Sequence, residues 1–124
     1  MLRSTVLAIA GLSAFMLAHA APTGMVAVET LSFSPGADTT KTVQLPAKTQ
    51  SVAFDVKGGE LFCASIKLNY PDGSRSGLVS NRSLASGGHV MSSSSPGSTY
   101  SSAVASCHAT GASATLVVSA SDAR

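Results

Sequence analysis

The chain has 124 residues, with eight Lys and Arg, six Asp and Glu, and a formal net charge of +2. A charge this close to zero, with its basic residues spread out, gives no electrostatic footprint for nucleic acid or an acidic membrane surface, so we expect neither as a partner. The length suits one domain with a modest core. No motif for binding a cofactor occurs in the chain, and we expect none to be bound.

Residues 1–20 have the three parts of a secretory signal. Arg3 supplies a positive charge, an apolar run follows from Thr5 to Ala18, and Ala18-His19-Ala20 has the small-x-small form of a cleavage site. The apolar run is shorter than the about 20 residues that a membrane-spanning helix needs. We therefore expect cleavage after Ala20, export to the periplasm or the extracellular medium, and no stable membrane insertion afterwards.

The remaining sequence, residues 21–124, predicts a single all-β domain. It is rich in Val, Thr and Ser, lacks helical periodicity and has turn residues at short intervals. The candidate strands are residues 25–33, 40–45, 51–56, 60–70, 75–79, 100–107 and 112–120. The apolar residues of the first change phase near Glu29 and Thr30, which indicates a bulge there. About seven short strands predict a small antiparallel β-sandwich, either immunoglobulin-like or jelly-roll-like.

Serine and glycine dominate the segment from residue 74 to residue 99. Such a composition buries little apolar surface, so we expect long or mobile loops over much of this segment.

Two cysteines, Cys63 and Cys107, remain after the signal. An even pair in an exported protein predicts a disulfide. The rival interpretations are two free thiols and a zinc site that adds His89 and His108. Structural zinc sites bring their ligands in close pairs along the chain, and this spacing does not, so we predict no metal.

The longest candidate strand, residues 60–70, conflicts with a disulfide in the core. Side chains alternate along a strand, so Cys63 falls on the opposite face from the apolar residues Phe62, Ile66, Leu68 and Tyr70. Three explanations stay open. A bulge within residues 61–64 shifts the phase, or the disulfide lies on the outer face, or these four apolar residues form a surface that contacts a partner.

The sequence has no recognisable catalytic constellation. There is no G-x-S-x-G stretch, and His89 and His108 are the only histidines after the signal that could act as a general base. We therefore predict that the protein is not an enzyme, and a hydrolase using one of these histidines is the least favoured alternative.

These features together predict an exported, non-enzymatic binding or structural module. Its expected partner is another envelope or secreted protein. The alternative is a small secreted inhibitor or accessory subunit that binds an enzyme through the loop at residues 80–98.

Overall fold

The structure is a computed structural model that describes residues 24–122, so the predicted signal peptide at residues 1–20 lies outside the described residues. Within this range the chain forms eight strands. They are β1 (Val26–Phe33), β2 (Thr39–Gln44), β3 (Thr49–Lys57), β4 (Leu61–Asn69), β5 (Arg75–Leu84), β6 (His89–Ser93), β7 (Ser102–Ala109) and β8 (Ala114–Asp122).

The strands form two four-stranded antiparallel sheets that pack face to face. Sheet I has the order β1-β8-β3-β6, and sheet II has the order β2-β7-β4-β5. The chain passes from one sheet to the other at almost every connection, which is the arrangement of an eight-stranded jelly roll. The predicted all-β sandwich is confirmed, and the strand order selects the jelly roll over the immunoglobulin-like alternative.

The core lies between the two sheets and consists of the inward-facing residues of each strand. In β8, for example, Ala114, Leu116 and Val118 are buried, whereas Thr115 and Val117 on the other face are half-buried. Each fully buried Val, Leu, Ile or Phe contributes about 1.5–3 kcal/mol relative to an exposed position. The alternation read from the sequence therefore identifies the side of each regular strand that stabilises the fold.

A bulge in β4 resolves the conflict over the disulfide. Cys63 lies opposite Cys107 and Ser65 lies opposite Ser106, so Ala64 is an extra residue without a counterpart on β7. The bulge shifts the phase of the strand by one residue. Of the three explanations left open by the sequence, the bulge is the one confirmed, and it lies at the last position of residues 61–64.

Because of this shift, the apolar residues on both sides of the bulge face the core. Leu61 and Cys63 before the bulge, and Ile66 and Leu68 after it, are all fully buried between the sheets. The two rival explanations are therefore wrong, because the disulfide is not on the outer face and Ile66 and Leu68 are not displayed to a partner.

A second bulge lies in β1. Ala27 is opposite Ser119 and Glu29 is opposite Val118, which leaves Val28 as the extra residue. The predicted bulge is confirmed here too, next to the position expected from the change of phase.

The Ser/Gly-rich segment contains more regular structure than its composition predicts. Strand β5 extends to Leu84, and β6 occupies His89–Ser93. Both are outermost strands of their sheets, where backbone hydrogen bonds to one neighbour hold a strand that has few apolar side chains. The strand expected at residues 75–79 is therefore confirmed, and the expectation of loops is wrong for residues 80–84 and 89–93.

Candidate functional site

The disulfide joins the two inner strands of sheet II. Cys63 and Cys107 are bonded through their sulfur atoms, lie directly opposite each other on β4 and β7, and are completely buried. The predicted disulfide is confirmed, and such bonds persist in oxidising compartments. Because both sulfurs are in the bond, neither cysteine supplies a thiolate as a nucleophile or metal ligand.

The outer face of sheet II carries rows of polar side chains. One row crosses the sheet through Thr40 on β2, Ser106 on β7, Ser65 on β4 and Ser80 on β5. Thr40 Oγ1 donates a hydrogen bond to Ser106 Oγ over 3.1 Å. The register of the sheet therefore brings together hydroxyl groups that are far apart in the sequence.

A pocket of about 210 Å³ opens on this face, and we call it the sheet II pocket. All four strands of the sheet contribute to it. Its lining residues are Thr40, Ser65, Lys67, Asn69, Arg75, Val104 and Ser106. The lining has two cations, four neutral polar groups, one apolar side chain and no carboxylate.

Its two cations are exposed and lack carboxylate partners. Among residues 24–122, the close contacts between a basic side chain and a carboxylate are His89 with Asp55 and His108 with Asp38, so neither Lys67 nor Arg75 takes part in one. Their charge is thus directed at solvent or at a ligand.

Asn69 anchors one end of the pocket. Its Nδ2 donates to Ser102 Oγ over 2.8 Å, and its backbone oxygen accepts hydrogen bonds from the backbone nitrogen and the hydroxyl of Ser101. These bonds fix the residue at the end of β4. Its Oδ1 is buried and has no hydrogen-bond partner among the described residues.

An aromatic pair lies beside the sheet II pocket on the same face. The rings of Phe62 on β4 and His108 on β7 have their centroids 5.5 Å apart. His108 Nδ1 is 2.8 Å from Asp38 Oδ1, which orients the imidazole. Phe62, proposed from the sequence as part of a contact surface, is half-buried here and keeps part of its ring accessible.

The other histidine has a similar partner on the opposite side of the molecule. His89 Nδ1 lies 2.7 Å from Asp55 Oδ1 on the outer face of sheet I, next to the exposed Met91. A Ser–His–Asp arrangement also needs a hydroxyl within about 2.6–3.2 Å of the imidazole. Among residues 24–122, neither histidine makes such a hydrogen bond.

Tyr70, the last residue of the predicted contact surface, packs against Tyr100. Their ring centroids are 5.2 Å apart, and Tyr100 Oη is hydrogen-bonded to Ser92 Oγ over 2.9 Å. Burial raises the pKa of the Tyr100 hydroxyl above its ordinary value of 10.0. Tyr70 itself is half-buried, so the proposed surface reduces to two separate, partly accessible rings, Phe62 and Tyr70.

A second pocket, of about 380 Å³, lies next to Tyr70, between the turn that joins β4 to β5 and residues 97–99. Asp72 lines it and accepts hydrogen bonds from the hydroxyl and the backbone nitrogen of Ser74, which hold the pKa of its carboxyl below the usual value. This carboxylate is therefore already bonded within its own turn.

Sequence reasoning missed the residues of the sheet II pocket. The only signal for them was the alternation after residue 64, which places Ser65, Lys67 and Asn69 on one face of β4. Thr40, Arg75 and Ser106 join them only through the pairing of strands.

Two further observations concern the described residues as a whole. Residues 24–122 include no helix with the length and apolar character needed to cross a membrane. In the same part of the chain, no three His, Cys, Asp or Glu side chains come together as a metal site would require.

The fold and the pocket define the class of the protein: a disulfide-bonded jelly-roll β-sandwich with a polar pocket on one outer face. Models of known protein families give no match to the chain, and neither do curated protein sequences. Among solved structures it is similar to a chain from the structural and functional characterization of Pseudomonas aeruginosa AlgX, with 13% identity and a TM-score of 0.44. The match covers 77% of this chain and 26% of that one, so this protein spans about a quarter of the AlgX chain.

Proposed function

We propose that the protein is an exported, non-enzymatic binding module that acts in the periplasm or the extracellular medium and holds its ligand on the outer face of sheet II. The observation that carries the proposal is the sheet II pocket. Side chains from all four strands of one sheet converge on it, and most of them are polar. Convergent polar groups in a pocket are the usual feature of a binding site.

The chemistry of the lining favours binding over turnover. It contains neither histidine, carboxylate nor cysteine, which are the side chains that most often transfer protons or attack substrates. The two histidine–aspartate pairs lie outside the lining. The hydroxyl groups in the lining have no histidine or carboxylate beside them there to activate them as nucleophiles, which favours a role in binding.

Two independent features support export. The disulfide is of the kind that persists in oxidising compartments, and the first 20 residues have the pattern of a secretory signal. A ligand in this compartment is a component of the envelope or of secreted material.

The binding face is tested by filling the pocket. Ser65→Trp places a large ring in the pocket. Val117→Trp is the control, because it places the same ring on the outer face of sheet I, on the central strand β8. Binding of the purified exported protein to envelope and secreted fractions of its source is measured by co-sedimentation. We expect at least about a tenfold loss for Ser65→Trp and little change for Val117→Trp.

Each possible result decides the question. Equal binding by wild type and Ser65→Trp, with both proteins folded by circular dichroism, would place the ligand elsewhere. Lack of binding by wild type at any salt concentration would rule out a binding function in these fractions.

A further inference from the structure

We infer that the sheet II pocket binds the anionic group of an acidic saccharide, through Lys67 and Arg75. This inference rests on the proposed function and names the chemical class of its ligand. Its basis is the charge of the pocket, the neutral groups around that charge, and the size and surroundings of the site.

The charge in the pocket is of one sign. Lys67 and Arg75 are its only charged residues, and no carboxylate of residues 24–122 neutralises either of them. The residue opposite Lys67 on β5 is Gly77, where even an added Cβ would meet no atom within 4 Å. The space beside Lys67 is therefore open.

Arg75 lies at the same end of the pocket as Asn69, its cross-strand partner on β4. A guanidinium group donates two parallel hydrogen bonds to a carboxylate or a sulfate, and an ammonium group adds a compact charge. Together the two side chains suit one oxyanion, held between neighbouring strands.

The neutral groups suit a ligand rich in hydroxyls. The Ser65 hydroxyl can both donate and accept. Thr40 donates to Ser106, so Thr40 can still accept and Ser106 can still donate, and Asn69 adds an amide. Val104 is the only apolar side chain in the lining. An acidic peptide would pair its carboxylates with the two cations, as acidic motifs do with clusters of Arg. Four neutral polar groups would then be left without a use, whereas the hydroxyls of a saccharide can bond to them.

The size of the pocket suits one sugar unit. Its 210 Å³ falls below the roughly 300–1,000 Å³ of pockets that enclose a whole drug-sized molecule. His108, in contact with Phe62, is two residues from Ser106 along β7, about 7 Å away on the same face. The next unit of a saccharide chain can therefore lie over this aromatic pair.

The ligand class is tested with three polymers that share one backbone: dextran, carboxymethyl-dextran and dextran sulfate. Binding to the purified exported protein is measured by titration with ¹⁵N NMR detection. We expect an acidic polymer to bind at least about tenfold more tightly than dextran, because hydrogen bonds to charged groups are the stronger ones. The amide signals of residues 65–69, 75 and 104–106 should shift.

Comparing the two acidic polymers identifies the anionic group as a carboxylate or a sulfate. Equal binding of neutral dextran would overturn the inference, and so would failure of both acidic polymers to bind. Shifts confined to residues outside the sheet II pocket would also overturn it.

Charge variants separate a specific site from general attraction. Lys67→Gln with Arg75→Gln removes the two pocket cations, and Lys57→Gln with Arg82→Gln removes one exposed Lys and one exposed Arg outside the lining. We expect the first pair to weaken binding of the acidic polymer at least tenfold and the second pair to change it less than about twofold. Equal losses in both pairs would overturn the inference.

The same variants distinguish failure of the inference from failure of the proposed function. If Ser65→Trp abolishes binding to envelope or secreted material while the Lys67→Gln, Arg75→Gln protein binds normally, the face is correct and the anionic ligand is wrong. If none of these changes affects binding, both are wrong.

Discussion

Ile66 and Phe62 lie four residues apart on β4, but they face opposite sides of sheet II. Ile66 is fully buried between the sheets, and Phe62 is half-buried beside His108 on the outer face. The free energy of unfolding lost on truncating either side chain depends on how many packing contacts that side chain makes. These two residues therefore report separately on the core and on the surface.

We predict that Ile66→Ala lowers the free energy of unfolding by about 2–5 kcal/mol, because it leaves a cavity between the sheets. Phe62→Ala should cost markedly less although it removes more atoms, since part of its ring is already exposed to water. Urea unfolding of both variants measures the two values. A larger loss for Phe62→Ala than for Ile66→Ala would contradict the assignment of faces.

Tyr100 is a buried ring whose hydroxyl is bonded to Ser92. We predict that Tyr100→Phe lowers the free energy of unfolding by about 1 kcal/mol at neutral pH, the typical net value of one hydrogen bond. Because the pKa of Tyr100 is raised in the folded state, its neutral form stabilises the fold below the ordinary value of 10.0, and that contribution is lost as the pH rises above it.

The difference in stability between wild type and Tyr100→Phe should therefore shrink at alkaline pH. Urea midpoints of both proteins at pH 7 and at about pH 10.5 measure it, and the comparison cancels the titration of the lysines. A difference that stays constant between the two pH values would contradict the prediction.

At the scale of elements, the disulfide ties β4 to β7, the two inner strands of sheet II. For cysteines 44 residues apart, the chain-entropy model gives about 4 kcal/mol of stabilisation. We predict that Cys63→Ala with Cys107→Ala lowers the free energy of unfolding by about this amount. Wild-type protein unfolded in urea under reducing conditions is the matched control, because it keeps both sulfurs in the core. If the free energy of unfolding fell by less than about 1 kcal/mol both in the double variant and in reduced wild type, the disulfide would not be a main source of stability.

Strands β8 and β6 show which elements the sequence can predict. In β8 the inward residues Ala114, Leu116 and Val118 alternate with outward ones, and this period of two is visible without any structure. Strand β6 has half-buried Val90, exposed His89 and Met91, and two serines, and its backbone pairing with β3 holds it in the sheet. Such pairing leaves no pattern in the residues of β6 itself, so the sequence predicts a loop at this position.

At the scale of the whole molecule, the topology brings together residues that are far apart in the sequence. Asp38 and His108 are 70 residues apart and share a hydrogen bond, and Thr40 and Ser106 are 66 apart and share another. Their contacts depend on the register of β2 against β7. The sequence predicted the disulfide and the inward faces, but without this register it could not predict the sheet II pocket.

The bulge at Ala64 connects the core to the pocket. It turns Cys63 inward while the side chains of Ser65, Lys67 and Asn69 remain on the outer face. A regular strand would place all four residues on the same side. With Ala64 present, the bulge is therefore what allows β4 both to bury the disulfide and to present the pocket residues.

Shortening β4 by one residue tests this geometry. Without Ala64, a regular strand still places Cys63 opposite Cys107 and Ile66 opposite Ala105, so the phase and the pairing with β7 survive. We predict that deletion of Ala64 gives a folded protein that still forms the disulfide. The deletion should lower the free energy of unfolding mainly through β5, because one residue of β5 then has no partner on β4.

Deletion of Ile66 is the matched control, since it shortens the same strand by the same length. A regular strand then brings Ser65 into the position of Ile66, where a buried hydroxyl replaces an apolar side chain and the free energy of unfolding falls by about 3 kcal/mol or more. Intact mass before and after reduction detects the disulfide in each variant, and urea unfolding measures stability. If deletion of Ala64 destabilised the protein as much as deletion of Ile66, β4 would require the bulge itself and not only the correct phase on each side of it.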